Sequence, residues 1–116
     1  MITIIAGSRD ITDVAIVRAA IAASGFMITK VVCGMCRGPD LIGKQLAEDA
    51  GVPVIKKPAK WRVNGILDRS AGYKRNVEMA KIAEALIAIW DGKSPGTKHM
   101  IELAESAGLE RYIHYV

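Results

Sequence analysis

Short apolar runs alternate with segments of helical period from one end of this chain to the other, and few folds tolerate that pattern. The runs Ile2–Ala6, Lys30–Cys33, Val52–Lys56, Ala85–Trp90 and Arg111–Val116 have strand length and composition. Between them, Asp13–Ala23 repeats apolar residues at Val14, Val17 and Ile21, and Pro39–Ala50 does so at Leu41, Ile42, Leu46 and Ala50. Gly72–Glu84 carries Val77, Ala80 and Ala83 on one face, and Pro95–Ala107 carries Met100, Ile101, Leu103, Ala104 and Ala107. Gly25, Gly51 and Gly108 each follow a helical pattern, where a C-terminal cap is expected. Strict β–α alternation predicts a single α/β domain, a doubly wound parallel sheet of five strands with right-handed crossovers and helices on both faces. A length of 116 residues suits one such domain, and a hydrophobic fraction of 51% supplies a core and argues against disorder.

Ligands of open parallel sheets sit beyond the carboxyl ends of the strands, where the winding direction reverses. The expected strand order, 3-2-1-4-5, places that reversal between the first and fourth strands. Three polar segments then share one address: Gly7-Ser8-Arg9-Asp10, Gly34 to Asp40, and Asp91 to Thr97. The last of these follows Ala85–Trp90, which is apolar enough to be covered on both faces. Ser94 is a favourable N-cap, and Pro95 falls at the first helical position, where its missing N–H costs nothing. The N–H groups of Gly96 and Thr97 would point outward at the positive end of the helix dipole, an arrangement that binds phosphate. The plainer alternative is an ordinary capped turn between a strand and a helix.

The formal charge of +4 is unevenly spread: Lys56, Lys57, Lys60, Arg62, Arg69, Lys74 and Arg75 stand against Asp68 alone, so this window carries +6 and the rest −2. Such a local excess suits a phosphorylated ligand, a nucleic-acid backbone or a solvated loop. The stretch from Lys57 to Ser70 is the one long connection, and it contains Pro58, Trp61, Asn64 and Gly65. Long loops in small domains tend to be functional or mobile. Trp61 would there stack on a base or pack the loop down, whereas Trp90 ends a buried strand and belongs to the core. Cys33 and Cys36 invite a redox or zinc reading, but zinc needs two more ligands and the histidines are His99 and His114 alone. Two small buried residues are the favoured reading, so neither a metal nor a cofactor is expected. No apolar run approaches the length of a membrane span, and Met1–Ala6 lacks the basic start of a signal peptide, so a cytoplasmic protein without a membrane partner is expected.

Four segments in order, Gly7-Ser8-Arg9, Gly34-Met-Cys-Arg-Gly38-Pro-Asp40, Gly72-Tyr-Lys-Arg75-Asn76-Val-Glu-Met79-Ala80 and Trp90-Asp-Gly-Lys-Ser-Pro-Gly96-Thr97, resemble the SLOG superfamily of Rossmann-like nucleotide-binding domains. The likeness covers nearly the whole chain. It is closest to the small stand-alone YspA-related branch, and more distant from the LOG phosphoribohydrolases (lysine decarboxylase-like proteins) and DNA-processing protein A. The resemblance implies ligand-binding roles for Gly7 and Ser8 in the first turn, Gly34 and Gly38 in the second loop, and Asp40 near the ribose. It likewise implies roles for Arg75 with Asn76 beside it, and for Gly96 and Thr97 at the phosphate. Arg9, Trp61, Asp91 and Ser94 complete the expected site on the reasoning above.

Two departures stand out. The LOG hydrolases carry acidic residues two and three positions after the Gly-Thr, where this chain has His99 and Met100. An oxocarbenium-like transition state wants a carboxylate nearby, which methionine cannot supply. Arg75, His99 and Glu78 are the residues left as catalytic candidates. Cys33, Met35 and Cys36 occupy positions usually filled by Ser, Gly and Ala, and Met35 is expected to narrow the pocket. The reading is therefore a nucleotide or nucleotide-derived ligand bound without obligatory chemistry. Its alternatives are an N-glycoside hydrolase of nucleoside monophosphates and a single-stranded nucleic-acid binder. Whether the chain forms a homo-oligomer stays open.

Overall fold

Helical crossovers between successive strands make the central strands parallel and cover them on both faces. In a computed structural model that describes all 116 residues, the elements are β1 (Ile2–Gly7), α1 (Val14–Ser24), β2 (Lys30–Cys33), α2 (Pro39–Asp49), β3 (Val54–Lys56), β4 (Arg62–Val63), β5 (Ile66–Leu67), α3 (Ala71–Ile82), β6 (Ala85–Trp90), α4 (Pro95–Ser106) and β7 (Glu110–Tyr115). The main sheet is parallel throughout, in the order β3-β2-β1-β6-β7. With the small β4–β5 pair set aside, this is the expected 3-2-1-4-5 order. β1 and β6 are neighbours, in a register that pairs Gly7 with Ile89.

Alternate side chains of these strands feed two separate cores. Ile4, Ala6, Val32, Leu86 and Ala88 pack with Met79, Ala80 and Ala83 at α3 and with Met100 and Ala104 of α4. Ile5, Val31, Ile87 and Ile89 pack on the opposite face with Val17 and Ala20 of α1 and Ala47 of α2. Leu86, Ile87 and Ile89 are wholly buried, and each such side chain contributes about 1.5–3 kcal/mol relative to exposure. Gly43 lets α2 lie directly on the sheet, since a Cβ there would stand 2.7 Å from Ile5 Cγ2.

The long connection departs from expectation because it contains a hairpin. Val63 pairs with Ile66 and Arg62 with Leu67, antiparallel, around a turn at Asn64 and Gly65. Both turn residues have positive φ, 52° and 79°, the backbone that a tight hairpin needs and that Asn-Gly adopts readily. Trp90 also differs from expectation. It is only half-buried, its ring 5.8 Å from that of Tyr115, and its indole N–H donates to Ser94 O at 3.1 Å. No helix is long and apolar enough to cross a membrane.

Candidate functional site

The reversal between β1 and β6 leaves a cleft of about 540 Å³ at the carboxyl edge of the sheet. It is bounded by the loop after β1 and by the starts of α2, α3 and α4. Gly7, Ser8, Arg9, Asp40, Trp61, Arg75, Asn76, Ser94, Gly96 and Thr97 all line it. Gly34, Gly38 and Asp91, which sequence reasoning placed at the ligand, do not line it; the two glycines are buried and Asp91 is exposed. Its floor is apolar, made by Ala6, Met79 and Met100.

Close approach of backbones explains the first glycine. A Cβ on Gly7 would lie 2.2 Å from Ile89 O and 2.6 Å from Pro39 Cγ, so only glycine lets β1, β6 and α2 meet at this corner. Gly38 has φ +90° and faces the carbonyls of Ser8, Arg9 and Ile11 at 2.9–3.1 Å, measured from where its Cβ would be. It fits α2 under the β1 loop rather than making room for a ligand. Ser8 is 2% exposed, and its hydroxyl accepts the Asp91 N–H at 3.0 Å, tying the turn after β6 to the turn after β1.

Asp91 in turn shapes the entrance to α4. Its carboxylate accepts the N–H groups of Lys93 and Ser94, both at 2.8 Å, and the Ser94 hydroxyl at 3.1 Å. The hydrogen bonds from the Ser94 and Lys93 N–H groups hold its pKa down, at about 2. The Ser94 hydroxyl is therefore turned away from the helix, and α4 has no side-chain cap, contrary to the expected N-cap role. The N–H groups of Gly96 and Thr97 make no hydrogen bond within the protein. Open space lies where a Gly96 side chain would be. Thr97 is 6% exposed, lines the cleft, and its hydroxyl has no protein partner.

The same absence of capping recurs at the other helices that open here. α2 begins at Gly38 and α3 at Ser70, and neither receives a side-chain cap. α1, whose first turn does not reach the cleft, is capped in the ordinary way by Asp13, which accepts the Ala15 N–H at 2.9 Å. Three helix dipoles thus present uncapped positive ends to one cavity.

Arg75 and Asp40 form the charged centre. Arg75 is 9% exposed. Its Nη1 donates to Gly34 O at 2.5 Å, its Nε donates to Asn76 Oδ1 at 3.1 Å, and Cys36 Sγ lies 3.5 Å from Nη2. A Cβ on Gly34 would stand 2.7 Å from both Arg75 Nη1 and Asp40 Oδ2, so this glycine makes room for two side chains rather than for ligand. Burial raises the Asp40 pKa to about 6, against the opposing pull of Arg75, the Cys36 and Gly7 N–H groups, and Arg9. Asn76 Nδ2 donates to Gly96 O at 3.2 Å and lies 3.2 Å from His99 Nδ1, joining α3 to the start of α4.

Some expected contributors stand elsewhere. Glu78 is exposed on α3 away from the cleft, and His99 lies beside it, packed edge-on against Tyr73 with ring centroids 4.4 Å apart. Met35 does not narrow the cavity: with φ +62° its side chain turns toward Cys33, Sδ to Sγ 3.6 Å. Burial pushes the Cys33 thiol up to about 11, which leaves it protonated and opposes the redox reading. Of the basic window only Arg69 and Arg75 line the cleft, and Lys74 is bonded to Asp68 at 2.8 Å. Sequence reasoning missed Tyr73 and Arg69, whose only signal was membership of that window and the helix start beside it. No protein-family model, curated protein or solved structure matches the chain.

Proposed function

We propose that this protein binds a nucleotide or nucleotide-derived small molecule as a sensor, carrier or sequestering domain, with the phosphate at the start of α4. One observation carries the reading: α2, α3 and α4 open uncapped on a single cleft, while α1, outside it, is capped. Unsatisfied N–H groups at Gly96 and Thr97, together with the Arg75 and Arg9 guanidinium groups, offer an anion both hydrogen bonds and countercharge. The resemblance to the SLOG superfamily supports the same ligand class. The proposal places the protein in the cytoplasm, where nucleotides are abundant, and requires no cofactor or metal. Titration of AMP by calorimetry tests it, with Arg75→Ala weakening binding by about 1.5–3 kcal/mol, the range for a hydrogen bond to a charged group. Failure of AMP, GMP, CMP and UMP all to bind overturns the reading. Unchanged affinity in a folded Arg75→Ala variant removes Arg75 from the site.

A second reading, an N-glycoside hydrolase, is favoured by the buried Asp40 carboxylate in the cleft wall, since cleavage through an oxocarbenium-like transition state calls for such a group. Against it, His99 and Met100 stand where the resembled hydrolases carry acids, and Glu78 is outside the cleft. Chromatography of the four monophosphates after incubation should show no free base. Release that disappears in an Asp40→Asn variant would establish the hydrolase instead.

A further inference from the structure

The cleft holds aromatic side chains as well as anion-binding donors. Besides the open start of α4, it carries two aromatic side chains, Trp61 and Tyr73, beside Gly72. They are 42% and 46% exposed, although both belong to the wall of a cavity. The two Trp61 carbons nearest to the position of a Gly72 Cβ are Cη2 at 3.3 Å and Cζ2 at 3.7 Å, on the outer edge of the six-membered ring. At 42% exposure, much of the indole is open to solvent where it lines the cleft. Its backbone is pinned, because Trp61 O accepts the Asp68 N–H at 2.7 Å where the β4–β5 hairpin closes. Tyr73 is held by its edge-on contact with His99, which Asn76 positions in turn.

A half-exposed indole in the same cleft as a set of anion-binding donors matches a molecule with a planar ring at one end and a phosphate at the other. Resting on the reading of the cleft as a nucleotide site, we propose that the face of Trp61 stacks on the nucleobase, with Tyr73 bounding the pocket beside Gly72. The hairpin is then the element that recognises the base, and the start of α4 the element that recognises the phosphate.

Two probes separate these roles: AMP, which has a base, and ribose 5-phosphate, which has none. Calorimetry on the intact protein should show AMP binding more tightly than ribose 5-phosphate. Trp61→Ala should weaken AMP by about 5- to 150-fold, the range for a base–aromatic stack, and ribose 5-phosphate by less than about twofold. Trp61→Phe should recover most of the loss, because a phenyl ring also offers a face. Equal losses for the two probes, or no loss for AMP, overturn the proposal and leave Trp61 as a support for the hairpin. Wild-type protein that binds ribose 5-phosphate as tightly as AMP overturns the stack while the phosphate site stands. Wild-type protein that binds neither overturns the nucleotide reading as well. Melting curves verify folding of each variant, and Trp61 lies outside both cores.

Discussion

Replacing Asp40 with asparagine isolates the one carboxylate buried in the wall of the cleft. The carboxyl is 5% exposed, and burial, its largest influence, lifts its pKa from 3.8 to about 6. A folded-state pKa above the unfolded value means that the folded protein holds the proton more tightly. The stabilisation from this group is complete below the unfolded pKa of 3.8 and is lost as pH rises through about 6. At about 1.36 kcal/mol for each tenfold change in proton affinity, the full loss is about 3 kcal/mol, of which about 2–3 kcal/mol falls between pH 4 and pH 7. Asparagine resembles the protonated acid in shape and cannot ionise.

Urea unfolding followed by circular dichroism, on both proteins at several pH values across that interval, measures the effect. The stability of Asp40→Asn minus that of wild type should rise by about 2–3 kcal/mol from pH 4 to pH 7. Taking the difference removes contributions shared by the two proteins. Asp68 and Asp91 have pKa values lowered to about 2, so their stabilisation is present above the ordinary 3.8 and is lost at lower pH, outside the interval. A flat difference would refute burial as the dominant influence on Asp40. A difference that falls with rising pH would show that attraction to Arg75 outweighs burial.

Two other perturbations test the frame of the cleft. Gly7→Ala should destabilise the fold by about 3 kcal/mol in chemical denaturation, because its Cβ would stand 2.2 Å from the Ile89 carbonyl oxygen, a backbone atom that cannot swing aside. Asp91→Ala should lower AMP affinity with a modest fall in melting temperature, because the carboxylate that holds the Lys93 and Ser94 N–H groups sets the start of α4; unchanged affinity would show that this helix start keeps its geometry without Asp91.

Most of the sheet was legible because its signal is burial itself. The near-continuous apolar run of β6 encodes a strand covered on both faces, and the period of each helix encodes a single covered face. The hairpin was not legible as two strands, although Asn64-Gly65 is the strongest short turn signal, because the flanking runs Arg62–Val63 and Ile66–Leu67 are two residues each. At the site, sequence reasoning could tell that backbones or side chains crowd a glycine, but not what crowds it. Gly34 and Gly38 face other parts of this protein, and only the folded chain reveals whether the neighbour is a ligand, a guanidinium or a carbonyl. Ser94 illustrates a competition of the same kind. Its hydroxyl has a choice between its own helix and Asp91, and the Asx turn that Asp91 makes with the Lys93 N–H, extended to the Ser94 N–H, brings the carboxylate within reach first.

The uncapped helices and the buried charges have a common physical meaning. A helix start without a cap leaves donors that water must satisfy, and restoring a cap stabilises a protein by about 1 kcal/mol. α1 takes that gain through Asp13, so the chain does not lack capping chemistry. At α2, α3 and α4 the gain is forgone together, at the one place where a carboxylate and a guanidinium group are also buried side by side over Gly34. Local rules fail independently when they fail by chance, and they fail together where one cavity imposes the same requirement on several elements. On the proposed reading, the requirement is a cleft that keeps the Gly96 and Thr97 donors open. An anion bound there would displace water from the N–H groups of Gly96 and Thr97, which have no partner in the protein, so little further ordering would oppose binding. The uncapped helix starts would therefore stabilise the bound state more than the free one, which is the condition for a binding site.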